Sequence, residues 1–142
     1  MRRAIAAALP ALLLACTLAS AQGGGPSDAD ARRVWAEFQA AVKADDKAKI
    51  ASLMRFPLEG WDEDDLIGVT QEDYAKFYPK MFTPFVKTMI ANGKLVRDDD
   101  NTYEVTAPGA GAHRGDVYSL FIEYDAASGF KVTSLAIGEP DE

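Results

Sequence analysis

The C-terminal strand pair constrains the fold of this chain more than any other feature of its sequence. Residues 116–125 read DVYSLFIEYD and residues 130–138 read FKVTSLAIG, two runs rich in β-branched and aromatic residues. A short connection that contains Gly129 separates them. Two such runs around a short, glycine-containing connection predict a β-hairpin. Because the apolar faces of the upstream helices need a sheet to cover, we expect this hairpin at the centre of the sheet.

The first 21 residues predict a secretory signal peptide. A basic head (MRR) precedes a run of Ala, Leu and Ile over residues 4–15, and residues 19–21 (ASA) fit the small-x-small rule of signal peptidase. We therefore expect cleavage before Gln22 and a periplasmic or secreted protein. The alternative of a retained membrane anchor requires about 20 apolar residues, and this stretch is shorter and interrupted by Pro10.

Cys16 offers a second way of export. Residues 13–16 (LLAC) resemble a bacterial lipobox, in which the cysteine is acylated and becomes the N-terminus of an outer-membrane lipoprotein. Leu14 is an unusual residue directly before the small one, so we prefer the downstream cleavage site. The mature chain then has no cysteine, and its stability must come from its core without disulfides.

The mature chain predicts one acidic domain. Residues 22–27 form a glycine-rich leader, and residues 28–142 have the size of a single domain with one hydrophobic core. The whole sequence has a formal net charge of −7, and removal of the two arginines of the signal makes it more negative. No basic patch remains, which argues against binding of nucleic acid or of anionic lipid.

Apolar residues at helical spacing predict four helices. The first begins at Ser27 or Asp28 and extends for about four turns, and Trp35 and Phe38 belong to its apolar side. The later helices are predicted from Asp45-Asp46 to Phe56-Pro57, from Thr70-Gln71-Glu72-Asp73 to the residue before Pro79, and from Thr83-Pro84 to Asn92-Gly93.

Four further strands are predicted outside the C-terminal pair. Residues 58–61 and 66–69 flank the acidic run 62–65, which we expect at the tip of a hairpin. After the fourth helix, the period changes to two, and residues 95–97 and 102–107 read as strands around a turn.

This order of elements resembles the nuclear-transport-factor-two-like superfamily. Residues 45–58 (DDKAKIASLMRFPL), 67–74 (IGVTQEDY) and 81–84 (MFTP) are similar to exported bacterial members of that superfamily. The resemblance spans nearly the whole mature chain and implies a cystatin-like α+β cone, with helices packed into the concave face of a bent, mostly antiparallel sheet. It brings no catalytic residue with it, and because the superfamily includes isomerases, dehydratases and non-enzymes, it sets no function.

The resemblance implies that an enzyme of this fold would move a proton with an Asp, His or Tyr inside the cone. The titratable candidates here are His113, Asp116, Tyr103, Tyr118 and Glu123. A general base needs a partner that tunes its pKa and a pocket that removes water from it. His113 lies in a glycine-rich loop, Asp116 opens a strand, and the tyrosines alternate with aliphatic residues as sheet packing requires. We therefore predict no catalytic residue.

Metal and cofactor chemistry is also not predicted. The acidic runs 62–65 and 98–101 lack the alternating ligand spacing and the closing Glu of a calcium loop. One His and no mature Cys are too few for a zinc site, and no phosphate loop or nucleophile motif is present.

We predict an exported, non-catalytic domain that binds a small apolar ligand or a protein partner in or around the cone. The candidate ligand-binding residues are Trp35, Tyr78, Tyr103 and Tyr118. One alternative is a proton-transfer enzyme of the isomerase or dehydratase type that uses the aromatic cavity. The other is a homodimeric interaction module.

The homodimer prediction comes from the two central strands. The even positions of 116–125 are apolar or aromatic after Asp116, and Val117 and Phe121 add apolar side chains to the other face. Residues 130–138 also carry apolar side chains on both faces, with Val132 and Ala136 on one side and Leu135 and Ile137 on the other. Because a second apolar face usually marks an interface, we predict a homodimer through Val117 and Phe121. The alternative is that the strands bend or bulge and that the chain's own termini cover this face.

Overall fold

Four helices pack against one face of a six-stranded mixed sheet in the part of the chain that the computed structural model describes, residues 25–62, 65–108 and 117–138. The helices are α1 (Asp28–Lys43), α2 (Lys47–Ser52), α3 (Tyr74–Met81) and α4 (Pro84–Asn92). The strands are β1 (Met54–Asp62), β2 (Asp65–Val69), β3 (Val96–Arg97), β4 (Thr102–Pro108), β5 (Val117–Asp125) and β6 (Gly129–Gly138). None of the helices in these ranges has the length and apolar character that a membrane span requires.

The predicted C-terminal hairpin occupies the centre of the sheet. The strand order is β2-β1-β6-β5-β4-β3, and β5 pairs with β6 from Val117↔Gly138 to Asp125↔Gly129. Gly129 ends the turn with a φ of 71°, a left-handed conformation that favours glycine. All neighbouring strands are antiparallel except β1 and β6, which are parallel. The expectation of a mostly antiparallel sheet in an α+β fold is therefore confirmed.

A β-bulge changes the interpretation of the last strand. Phe121 pairs with Ser134 whereas the next residue, Ile122, pairs with Val132, so Thr133 is an extra residue on β6. The bulge reverses the alternation of side chains, and Val132 and Leu135 are both buried in the same core. The sequence-based assignment of these two residues to opposite faces is wrong, because strict alternation holds only without a bulge.

The second helix is shorter than predicted. Helix α2 ends at Ser52, and β1 begins at Met54 rather than at residue 58. Leu53 and Met54 are buried as expected, but they lie beyond the helix. Pro57 is inside β1, within a register irregularity of the β1–β6 pairing between Met54 and Glu59. Pro has no N–H to donate, so a strand tolerates it where the ladder is irregular.

The fourth helix begins as its capping pattern predicts, whereas the third begins only at Tyr74, and its N-cap residue Asp73 makes no side-chain capping bond. Thr70 Oγ1 accepts a hydrogen bond from Asp73 N at 3.2 Å and donates one to Asp73 Oδ2 at 3.0 Å. Thr83 Oγ1 caps α4 by accepting from Val86 N at 3.3 Å. Helix α3 continues through Pro79 to Met81 instead of ending before it. A proline this close to the C-terminus of a helix removes only one hydrogen bond of the ladder.

Aromatic rings fill the space between the helices and the sheet. Phe38 stacks on Trp35 with ring centroids 6.0 Å apart and contacts Phe82 at 6.3 Å, and Phe82 stacks on Tyr78 at 4.8 Å. All four residues are buried, and burial of one large apolar side chain stabilises a fold by about 1.5–3 kcal/mol. No charged or polar residue is buried within the described ranges.

Candidate functional site

An open cleft lies between α4 and the end of β4, and we call it the α4–β4 cleft. Its volume is about 420 Å³. Its lining residues come from α4, from the connection that follows this helix and from the last residues of β4: Phe85, Thr88, Met89, Asn92, Gly93, Lys94, Thr106, Ala107 and Pro108.

Carbon surface dominates the chemistry of this cleft. Phe85, Met89, Ala107 and Pro108 supply apolar groups, and the two threonines and Asn92 add neutral hydrogen-bonding groups. Lys94 is the one ionisable residue among the lining residues of the described chain. The cleft can therefore remove an apolar group from water, whereas it offers no carboxylate or imidazole there to accept a proton.

Gly93 joins the cleft to the hydrophobic core. The Trp35 indole N–H donates a hydrogen bond to the Gly93 carbonyl at 3.3 Å. A Cβ atom on residue 93 would lie 2.4 Å from Val105 Cγ1 and 3.0 Å from the Met89 carbonyl oxygen. Its φ of −66° is open to any residue, so close packing rather than backbone conformation requires glycine here.

Asp45 connects the α1–α2 junction with α3 and α4 through one carboxylate. Its Oδ1 atom accepts hydrogen bonds from the Tyr78 hydroxyl and from Lys87 Nζ, both at 2.6 Å. These two bonds, that of Lys87 first, lower the pKa of Asp45. Burial and the bond to Asp45 raise the pKa of Tyr78. The pair therefore consists of a carboxylate and a neutral phenol at neutral pH.

A second tyrosine–aspartate pair ties the start of α1 to β4. The buried Tyr103 donates its hydroxyl hydrogen to Asp28 Oδ1 at 2.6 Å. The bond from Tyr103 and a second one from Arg32 lower the pKa of Asp28. The Asp28 side chain is 48% exposed, so this carboxylate is in contact with water rather than held in an apolar pocket. This hydrogen bond therefore has a structural role, because it holds the start of α1 against β4.

The four predicted ligand-binding residues are all buried in the core. None of them is among the residues that line the α4–β4 cleft, but two of them contact its wall. Trp35 binds the Gly93 carbonyl, and the Tyr118 ring lies 4.5 Å from that of Phe85. The hydroxyls of Tyr78 and Tyr103 bond to carboxylates away from the cleft.

The other titratable candidates are dispersed. His113 and Asp116 lie outside the described residues. Glu123 forms an ion pair with Arg55 at 3.6 Å. In the acidic run 98–101, Asp99 Oδ1 accepts from the amides of Asn101 and Thr102, which is a turn contact. The described ranges contain no cluster of His, Cys, Asp or Glu with metal-binding geometry.

The sequence predicted four buried aromatic residues as the ligand site, whereas other residues line the α4–β4 cleft. Phe85 and Met89 fall on the apolar side of α4, which predicts core positions, and Met89 is indeed buried in the core while the half-buried Phe85 packs against it. The sequence feature that could have predicted the cleft is the pair Ala107-Pro108, whose small side chains leave space opposite this helix. Such a gap depends on which strand packs next to the helix, and hydrophobic periodicity does not contain that information.

Comparison with solved structures identifies the fold. A candidate ketosteroid isomerase from Shewanella frigidimarina NCIMB 400 matches with a TM-score of 0.50 and 14% identity over 78% of this chain and 96% of that chain. An NTF-2-like protein of unknown function from Shewanella oneidensis MR-1 matches with a TM-score of 0.47 and 12% identity over 78% and 98%. A protein of unknown function with a cystatin-like fold from Methylobium petroleophilum PM1 matches with a TM-score of 0.49 and 13% identity over 82% and 81%.

The chain shares the α+β fold of the first of these structures, with helices on one face of a mostly antiparallel sheet, as the order of its elements predicted. At these identities the similarity shows the fold alone and transfers no activity. No protein-family model matches the sequence, and no curated protein matches it.

Proposed function

We propose that this protein is an exported, non-catalytic binding domain that holds a small apolar ligand in the α4–β4 cleft. The observation that carries the proposal is the cleft itself, about 420 Å³ of open space with walls of Phe85, Met89, Ala107 and Pro108. Pockets that bind small molecules commonly have about 300–1,000 Å³ and mostly apolar walls with a few polar groups. Asn92 and Lys94 are the polar groups that would orient a ligand here.

The proton-transfer alternative has less support. An enzyme of that type requires an ionisable group that is held in an apolar cavity so that its pKa approaches neutrality. In the described ranges, no carboxylate is buried, and the pKa values of Asp28 and Asp45 are lowered, away from neutrality. Both carboxylates remain ionised, and neither lines the cleft.

A variant that fills the cleft tests the ligand proposal. We expect Ala107→Phe to place a ring in the cleft, so that the fluorescence of the dye anilinonaphthalene sulfonate, which rises with apolar binding to the wild type, stays near its value in buffer. The matched control is Ala127→Phe, at an exposed position of the β5–β6 turn. The control should enhance dye fluorescence as the wild type does.

Native mass spectrometry of protein purified from its own host extends this test to the natural ligand. We expect an adduct on the wild type and on Ala127→Phe that is absent from Ala107→Phe. Equal dye binding and equal adducts in the two variants would show that the cleft is not the binding site.

Export is tested by the intact mass of the protein recovered outside the cytoplasm. We expect a chain that begins at Gln22, because residues 19–21 form a better cleavage site than the lipobox. A diacylglycerol adduct on Cys16 would contradict this and would place the protein on the outer membrane.

A homodimer through the sheet face away from the helices is a second candidate. The observation that favours it is Phe121, whose ring is only partly buried in the middle of β5. The Val117 side chain, the other predicted contact, lies outside the described residues. A protein partner in place of a second copy of the chain is the remaining alternative.

A further inference from the structure

A second cleft, with polar walls, lies on the sheet face opposite to the helices, and we call it the outer-face cleft. Its volume is about 500 Å³. Phe121 and Glu123 of β5 line it, and they alternate with the buried Leu120 and Ile122 of the helix-facing side. The cleft therefore shares no wall with the α4–β4 cleft, and its function is independent of the proposed one.

Both hydrogen-bond ladders of the central strand are irregular beneath this cleft. On one side, the β5–β6 register shifts at the Thr133 bulge. On the other side, the β1–β6 register shifts between Met54 and Glu59, so that Met54 pairs with Val132 and Glu59 with Ser134. The sheet is thus locally distorted at one point, and side chains from β1 and β6 are directed differently there from those of a regular ladder.

Two buried polar atoms beside the cleft have no hydrogen-bond partner among the described residues. They are Arg55 Nε and Thr133 Oγ1, and both residues line the cleft. The terminal nitrogens of Arg55 are used, since Nη2 donates to the Glu123 carbonyl at 3.2 Å and Nη1 lies 3.6 Å from Glu123 Oε2. An unpaired buried polar group costs stability, so each such group in a native structure calls for an explanation, and a ligand that pairs with it is one.

The charges around these two atoms restrict the ligand. Among the described lining residues, Arg55 is the one cation, and it is accompanied by the three carboxylates of Glu59, Asp98 and Glu123. The lining is therefore formally negative and repels a simple anion, although Arg55 Nε needs an acceptor. A ligand that satisfies both demands carries a positive charge and a neutral oxygen acceptor.

We propose that the outer-face cleft binds a small protonated amine that also carries hydroxyl oxygens, of the amino alcohol or amino sugar class. The ammonium group interacts with the carboxylates, and a hydroxyl oxygen accepts the hydrogen bond from Arg55 Nε once a shift of this side chain opens the buried atom to the cleft. A second hydroxyl pairs with Thr133 Oγ1, which can donate or accept. The Phe121 ring offers an apolar surface for the carbon skeleton of the ligand.

Three sugars of nearly equal size and different charge test the proposal. Glucosamine, glucose and glucuronate are titrated separately into the ¹⁵N-labelled mature protein, and the backbone amide shifts are followed. We expect glucosamine to shift the amides of Arg55, Phe121 and Thr133 in a saturable manner that weakens as salt is added. Glucose should bind at least about tenfold more weakly, and glucuronate should produce no saturable shift. Equal binding of the three sugars, preference for glucuronate, or no shift with any of them would overturn the proposal.

Two variants separate a binding role from a structural one. Thr133→Val keeps the branched shape and removes the unpaired hydroxyl, so it should raise the midpoint of thermal unfolding while it weakens glucosamine binding about tenfold. Ser52→Ala, which removes an exposed hydroxyl outside both clefts, is the control and should leave binding unchanged. Full binding by Thr133→Val would show that this hydroxyl does not contact the ligand and would overturn its part of the proposal.

The charge requirement is tested at a position away from the core. Glu59→Gln removes one exposed carboxylate of the cleft and should weaken glucosamine binding several-fold. Glu72→Gln removes the same charge outside the cleft and should have no effect. If both variants bind alike, the attraction is due to the overall negative charge of the protein and not to the cleft.

A dimer that closes the cleft would instead shift the same amides with protein concentration and without any sugar, which would also contradict a small ligand.

Discussion

Asp45 shows how one residue holds several elements in register. Its φ of 54° places it in the left-handed region, where Asp and Asn are tolerated better than most other residues. This conformation turns the chain between α1 and α2. The Tyr78 ring lies between Lys47 and Lys87, whose Nζ atoms are 4.8 Å and 5.6 Å from its centroid. The carboxylate, the phenol and the two ammonium groups thus form one charged network above an aromatic ring.

The pKa of Asp45 predicts a loss of stability at acid pH. The carboxyl group is more acidic in the folded chain than at its ordinary pKa of 3.8, mainly because Lys87 and then Tyr78 donate to it. Its contribution to stability is therefore complete above that value and is lost as the pH falls through the lower pKa of the folded state. We expect wild type to be more stable than Asp45→Asn at pH 6, and the difference to shrink steadily below about pH 4.

The measurement is the free energy of unfolding of both proteins in urea across this pH range. Asn is the suitable replacement because it also accepts the left-handed backbone conformation. Lys87→Met is the companion variant, since it removes the main cause of the lowered pKa and should flatten the pH dependence. A constant difference between wild type and Asp45→Asn from pH 6 to pH 3 would show that the ionic contacts do not contribute.

At the scale of elements, α4 packs closely against α1 and β4 around Gly93. Gly93→Ala would force its Cβ against Val105 and the Met89 carbonyl. Because such overpacking moves neighbouring groups, we expect a loss of about 1–3 kcal/mol in the free energy of unfolding. Gly68→Ala is the control, as its Cβ would meet Pro57 at an ordinary distance of 3.6 Å and should change stability by less than about 0.5 kcal/mol. Similar stabilities of the two variants would contradict this account of the contact.

The elements themselves were largely predictable because each has a local cause. The capping side chains of Ser27 and Thr83 make the hydrogen bonds that their positions predict. Alternating apolar residues predicted β4, and the turn at Gly129 predicted the central hairpin. Local sequence determines these features, and tertiary packing has only to agree with it.

The clefts were not predictable, because both arise from relations between elements. The bulge at Thr133 is defined by the pairing of β6 with β5, and no residue in 130–138 predicts it from the sequence. The orphaned Nε of Arg55 depends on how β1 crosses the same point. Likewise, space beside α4 appears only once the end of β4 is placed next to it. Hydrophobic periodicity predicts which face of a strand or helix is buried. The volume of a cavity depends instead on the distance between two packed elements, which periodicity does not contain.

At the scale of the whole molecule, the sheet has two unequal faces. The helix-facing side is closed by a continuous hydrophobic core that contains Leu120, Ile122, Val132 and Leu135. The opposite side carries the polar outer-face cleft, with Phe121 as its apolar residue next to Pro57. The bulge directs both Val132 and Leu135 into the core, so the homodimer prediction now depends mainly on Phe121 and Val117 of β5.

A homodimer through these two residues predicts that Phe121→Glu is a folded monomer. A carboxylate at this position would repel its symmetry-related copy and lose the apolar contact, whereas the helix-facing core is untouched. Light scattering at tens of micromolar should show a wild-type dimer and a monomeric variant with an unchanged circular dichroism spectrum. Lys131→Glu, a charge reversal at another partly exposed position of the sheet, is the control and should stay dimeric. Because Phe121 also lines the outer-face cleft, the oligomeric state is measured without sugar, so that assembly is read independently of ligand binding. A wild type that is monomeric at this concentration would refute the dimer, and the outer-face cleft would then be open to a small ligand.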